Sequence, residues 1–146
     1  MMYSSAVFES PEQSLYEAQK SKIKLLADKL HLKPGAKVLE IGSGWGAMAI
    51  YLAKERQCEV TTVTLSKEQK TLCEQRFRKE DVEDKIEILL KDYRDLEGTF
   101  DAIIAVGVGI TAIGANNTLA TPPQTSRIYT LVMTDDTDGA ETYDLY

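Results

Sequence analysis

The chain of 146 residues is predicted to fold as an α/β protein around a parallel sheet, and three observations predict it. Short β-type runs alternate with amphipathic helical patterns between Leu15 and Val106, the order that builds parallel βαβ units with right-handed crossovers. The first of these runs, Val38-Leu39-Glu40-Ile41, passes straight into three alternate glycines, Gly42, Gly44 and Gly46, and then into a helical pattern. Such a junction lets backbone come close to a ligand where side chains would block it. Finally, no run approaches the ~20 apolar residues of a membrane span, and a chain of this size can bury one core.

The elements follow in order. Residues 12–32 read as an amphipathic helix, with Ser10 as its cap, Pro11 in its first turn, and Leu15, Ala18, Ile23, Leu26 and Leu30 near one face. Lys33-Pro34-Gly35 ends it, and His31 is expected to face solvent or cap its C-terminus. The first strand starts near Lys37, and a helix over 45–56 follows the glycine turn. A second strand, Glu59 to Leu65, is dense in β-branched residues. Ser66 caps a charged helix reaching about Lys79, with Glu68 or Gln69 completing its first turn. A third strand is expected over Ile86–Leu90 and a fourth over Phe100–Val106.

After Val106 the character changes. Residues 1–106 hold 18 acidic and 16 basic side chains, whereas residues 107–146 hold five and one. Residues 107–126 lack periodicity and read as a loop or linker, and Arg127–Met133 as one further strand that pairs beside the fourth. The polar, acidic stretch from Thr134 has little to bury and is expected to be partly disordered. The chain thus divides into a ligand-binding unit, 1–106, and a divergent tail, 107–146. A net charge of −6 argues against nucleic acid as a partner. Cys58 and Cys73 show no metal-ligand spacing and suit packing in a reducing compartment; with no signal peptide legible at the start, a cytoplasmic location is expected.

The glycine spacing narrows the ligand. A dinucleotide loop wants G-x-G-x-x-G with a pyrophosphate on the helix N-terminus. Here the third glycine comes one residue early, and Glu40 would repel a diphosphate. No Gly-Lys-Ser/Thr follows, so a phosphate-cradling P-loop is excluded. The E-x-G-x-G-x-G form suits a cationic nucleoside without phosphates, which S-adenosylmethionine is. The bland alternative is a tight turn that binds nothing.

Four segments carry a resemblance: Met2-Tyr3-Ser4-Ser5-Ala6, Glu40 to Gly46, Thr64-Leu65-Ser66-Lys67-Glu68-Gln69, and Asp92-Tyr93-Arg94-Asp95-Leu96. Residues 2–107 resemble the methyltransferase domain of the cyclopropane-fatty-acyl-phospholipid synthases and their mycolic acid relatives. The resemblance implies a Rossmann-like class I methyltransferase fold, three-layered, with strand order 3-2-1-4, truncated after the fourth strand. It also implies roles. Gly42 and Gly44 would admit the methionine part of S-adenosylmethionine, with Tyr3 and Ser4 lying over it as a lid. Thr64, Leu65 and Gln69 would hold the ribose, and Asp92 and Tyr93 would flank the adenine. Taken alone, Thr64 could be only a strand former and Tyr93 only an aromatic capping the core.

The implied reaction is methylene transfer to unsaturated acyl chains of phospholipids. In the family a bound bicarbonate is thought to remove the final proton. In relatives its pocket includes a position that matches Ser5 here, and a glutamate in a Phe-Glu-His-type segment after the fourth strand. This sequence departs there: Val106-Gly107 continues into Val108-Gly109-Ile110-Thr111, without Glu or His. No catalytic residue is therefore assigned. A small-molecule N-methyltransferase and a non-catalytic cofactor-binding remnant remain the alternative readings.

Overall fold

A computed structural model describes residues 6–106, 129–134 and 140–145. Helix α1 (Leu15–Lys29) leads into strand β1 (Lys37–Ile41), helix α2 (Ala47–Glu55), strand β2 (Glu59–Thr64), helix α3 (Lys67–Lys79) and strand β3 (Ile86–Leu90). A short 3₁₀ turn (Tyr93–Asp95) precedes strand β4 (Ala102–Ala105). The four strands form one parallel sheet in the order β3-β2-β1-β4. The expected order and connectivity are what the molecule shows.

Helix α1 begins later than the sequence reading placed it. Ser10 is not its cap. Ser14 is, and its side chain accepts from the Glu17 amide while the Glu17 carboxylate accepts from the Ser14 amide. That reciprocal pair satisfies two otherwise unpaired donors, which Ser10 beside Pro11 cannot do. The helix stops where His31, exposed and at φ 47°, takes the left-handed position after the cap. Ser66 caps α3 as expected, accepting from the Gln69 amide.

Strand alternation divides the core into two. On one face Val38, Val60, Ile86, Ile88 and Ile104 meet Leu26 of α1, Leu52 of α2, and Cys73 and Phe77 of α3. Each large apolar side chain buried there removes enough surface from water to stabilise the fold by about 1.5–3 kcal/mol. On the other face Leu39, Ile41, Val63, Ile103 and Ala105 pack with Tyr93, Leu96 and Phe100. Among the described residues all three helices lie on the first face, and the second helical layer of the expected three-layer fold is not found among them.

At the amino end of the sheet, Asp101 clamps β1 to β4. Its carboxylate accepts from the Lys37 amide and its own amide donates to the Lys37 carbonyl, both at 2.8 Å.

The late strand lies beside β4 without sharing a hydrogen-bonded ladder with it. Strand β5 (Tyr129–Thr134) joins strand β6 (Ala140–Leu145) in a separate antiparallel pair, and the four-stranded ladder does not include it. Residues 127 and 128 lie outside the described ones. Strand β6 falls in the stretch from Thr134 that is expected to be partly disordered.

Candidate functional site

Parallel strands bring their carboxyl ends to one edge, and there the sequence-predicted residues collect. Ile41 pairs with Val63 and Thr64 with Leu90, so the segments after β1, β2 and β3 lie side by side. The turn after β1 is held by backbone. The amides of Gly42 and Ser43 both donate to the Val63 carbonyl, at 3.0 and 2.9 Å, and the Gly46 amide closes the turn on Ser43 at 2.9 Å.

Two of the turn's glycines differ in what surrounds them. Gly44 has φ 49°, and a Cβ built on it would meet nothing within 4 Å. Gly46 has φ 79°, and its Cβ would lie 2.7 Å from Phe77 Cε1 and 3.2 Å from Cys73 Sγ. One glycine faces open space and the other faces the core.

Glu40, just before the turn, is buried. The Thr62 hydroxyl donates to its Oε2 at 2.7 Å. Burial raises the Glu40 carboxyl to about 8, with the Thr62 bond opposing the rise. A lone charge in such a place is costly, so at neutral pH the ligand-free chain holds it as a neutral acid. Burial thus opposes the negative charge that the sequence leads one to expect of Glu40.

After β2, the Thr64 hydroxyl donates to Gln69 Oε1 at 2.6 Å and accepts from the Ser66 amide at 3.1 Å. Thr64 and Gln69 are therefore brought together, while Leu65 between them is 76% exposed at the rim. After β3, Asp92 caps the 3₁₀ turn, accepting from the Arg94 amide and from its guanidinium. The Arg94 pairing pulls the Asp92 carboxyl down to about 2. Arg94 occupies part of this carboxylate, whose two oxygens offer about four acceptor sites. Tyr93 packs against the second-face cluster, which is the core-capping arrangement. Tyr3 and Ser4 lie outside the described residues.

The sequence reading missed what stands behind the turn. Thr62 partners Glu40, and α3 reaches the turn with three side chains. Cys73 Sγ donates to the Gly44 carbonyl at 3.6 Å, the Arg76 guanidinium donates to the Trp45 carbonyl, and Phe77 packs under Gly46. Burial raises the Cys73 thiol to about 11, so it is an inert, protonated donor. Cys73 and Phe77 are an apolar pair four residues apart on a charged helix, the one sequence signal that could have exposed this contact. Among the described residues no three His, Cys, Asp or Glu side chains gather as metal ligands.

A family model described as mycolic acid cyclopropane synthetase matches residues 1–125. The chain belongs to that family. The match extends beyond residue 107, where the recognisable motifs end. The cyclopropane-fatty-acyl-phospholipid synthase of Escherichia coli (strain K12) is 44% identical over 108 residues, which are 74% of this chain and 27% of that enzyme. Mycolic acid cyclopropane synthase CmaA1, solved with SAH and CTAB, superposes with a TM-score of 0.69 at 33% identity, covering 73% of this chain and 37% of that one. Coclaurine N-methyltransferase bound to N-methylheliamine and SAH gives a TM-score of 0.66 at 28% identity, over 70% and 31%. The chain thus spans about a quarter to a third of the length of the curated family members it matches.

Proposed function

We propose that this chain is the cofactor-binding part of an S-adenosylmethionine-dependent methyltransferase of the cyclopropane-fatty-acyl-phospholipid synthase type. The whole enzyme would transfer a methylene unit to unsaturated acyl chains of phospholipids. The observation that carries the reading is Gly44, left-handed, open on the side where a Cβ would stand, and set at the carboxyl edge beside the Thr64–Gln69 pair. The SAH bound in CmaA1 supports the choice of ligand.

In this reading Gly42 and Gly44 admit the methionine end, and Thr64, Leu65 and Gln69 hold the ribose. Asp92 and Tyr93 flank the adenine, and Tyr3 and Ser4 close over the cofactor. Glu40 answers the ligand's positive charge by giving up its proton, since a nearby cation favours the carboxylate. The sulfonium is already an activated leaving group, so alignment with the acceptor supplies much of the acceleration. Residues 1–106 form the binding unit and 107–146 a divergent tail. Free Cys58 and Cys73 suit a reducing, cytoplasmic setting. No helix among the described residues is long and apolar enough to cross a membrane.

Calorimetric titration with S-adenosylhomocysteine tests the binding claim, and no heat at high ligand concentration would sink it. Incubation with methyl-labelled S-adenosylmethionine and vesicles of unsaturated phospholipid, followed by mass spectrometry, tests the acyl claim. Label in a cyclopropane or methyl-branched chain supports it. Binding without label in lipid points to a non-catalytic remnant. The likeness to coclaurine N-methyltransferase favours a second reading, a small-molecule N-methyltransferase, which labelled amine products would support.

A further inference from the structure

We propose that α3 positions the glycine turn, with Arg76 as the anchor and Cys73 and Phe77 as the surface on which the turn rests. The inference rests on the reading of the turn as the cofactor's seat.

A turn with glycines at left-handed φ does not fix its own shape, because glycine carries little steric preference. Gly46 begins α2 without a side chain to cap it. The missing constraint comes from α3. Residues 73, 76 and 77 share one helical face, and that face meets three successive residues of the turn. Cys73 holds the Gly44 carbonyl, Arg76 holds the Trp45 carbonyl, and the Phe77 ring fills the space where a Cβ on Gly46 would stand. The peptide bonds of the turn are trans, so each carbonyl points opposite to the amide of its own plane. Holding the Gly44 carbonyl on α3 therefore turns the Trp45 amide away from the helix. Holding the Trp45 carbonyl likewise orients the Gly46 amide, which closes the turn on Ser43. Arg76 provides the stronger of the two bonds, because its donor is ionised and the thiol is a weak one. The same helix starts at Ser66 and Gln69, beside Thr64. It thus couples the ribose side of the site to the methionine side.

Trp45 is the chain's single tryptophan, so its fluorescence reports the turn directly. In the full chain, Arg76→Ala is expected to weaken S-adenosylhomocysteine binding about tenfold, the worth of one such bond, and to shift Trp45 emission without ligand. Arg76→Lys, which keeps a cationic donor, is expected to recover most of the affinity. Wild-type affinity and unchanged emission in Arg76→Ala would overturn the proposal, as would a lower melting temperature with both unchanged. If Arg76→Ala does not fold, Arg76→Lys against Arg76→Gln makes the same comparison. No heat with the unaltered chain would overturn the cofactor reading and this inference with it. Heat with the unaltered chain and equal affinity in the variants would overturn only the inference.

Discussion

Gly44 and Gly46 are two residues apart, share a left-handed backbone, and meet opposite surroundings. A side chain on Gly46 would run into Phe77; one on Gly44 would enter open space. Beneath the turn lie Glu40, Thr62 and Cys73, each at most 4% exposed, while Leu65 sits in solvent and Asp92 is half-buried. The contrast separates two demands that a glycine-rich motif merges. The floor of the turn is held by the fold, and the mouth is left free for a ligand.

The contrast breaks most sharply at Gly46. Gly46→Ala combines left-handed strain with overpacking against Phe77, and the expected loss is about 2–4 kcal/mol by chemical denaturation. Adding Phe77→Leu should recover part of it. Wild-type stability in the single variant would mean that the floor is not packed as described. Thr62→Val comes next. It leaves Glu40 buried without its donor, at about 1–3 kcal/mol.

Glu40 also gives the floor a pH signature. Its folded pKa, about 8, lies above the ordinary carboxylate value of 4.5. The fold therefore favours the protonated form, and that contribution is complete below about pH 4.5 and lost as pH rises through about 8. Stability measured across this window should decline in the wild type, with the decline removed in Glu40→Gln. Parallel curves would overturn the assignment.

At the mouth the order of effects reverses. Gly44→Ala should cost only about 1 kcal/mol of stability, from backbone strain alone, yet lower affinity for S-adenosylhomocysteine at least about tenfold. If it destabilises as much as Gly46→Ala, the two ends of the turn do not differ. Asp92→Asn is the mildest. Its melting temperature should stay near wild type, because the Arg94 side of the pair is exposed, while binding weakens measurably.

Much of the floor's framework was legible in the sequence, since it is written in local patterns. Val60 to Thr64 is β-branched, Gly42-x-Gly44-x-Gly46 follows an apolar run, and Ser66 stands before a charged helix. Those signals located β1, β2 and α3 and put the glycines at the carboxyl edge. Ser10 before Pro11 reads as a cap, although Ser14-x-x-Glu17 is the pattern that closes on itself. What stayed hidden is long-range. Arg76 meets Trp45 across 31 positions and Thr62 meets Glu40 across 22, and no periodicity marks either pair. Arg94 lies two residues from Asp92, but nothing local says that a turn will fold the guanidinium back. Strand β6 was hidden for a different reason: its acidic, polar composition resembles that of segments that bury nothing.

The Asp101 clamp has a temporal side. Its two partners are 64 residues apart, and at about 5–20 residues per second a growing chain needs about 3–13 s to add that length. Strand β2, much nearer in sequence, emerges first and covers one edge of β1. The other edge, carrying the same Val38–Ile41 backbone, waits for β4 throughout that interval. During synthesis this nascent edge is where a stray strand from another chain could dock, and the arrival of Asp101 ends the exposure.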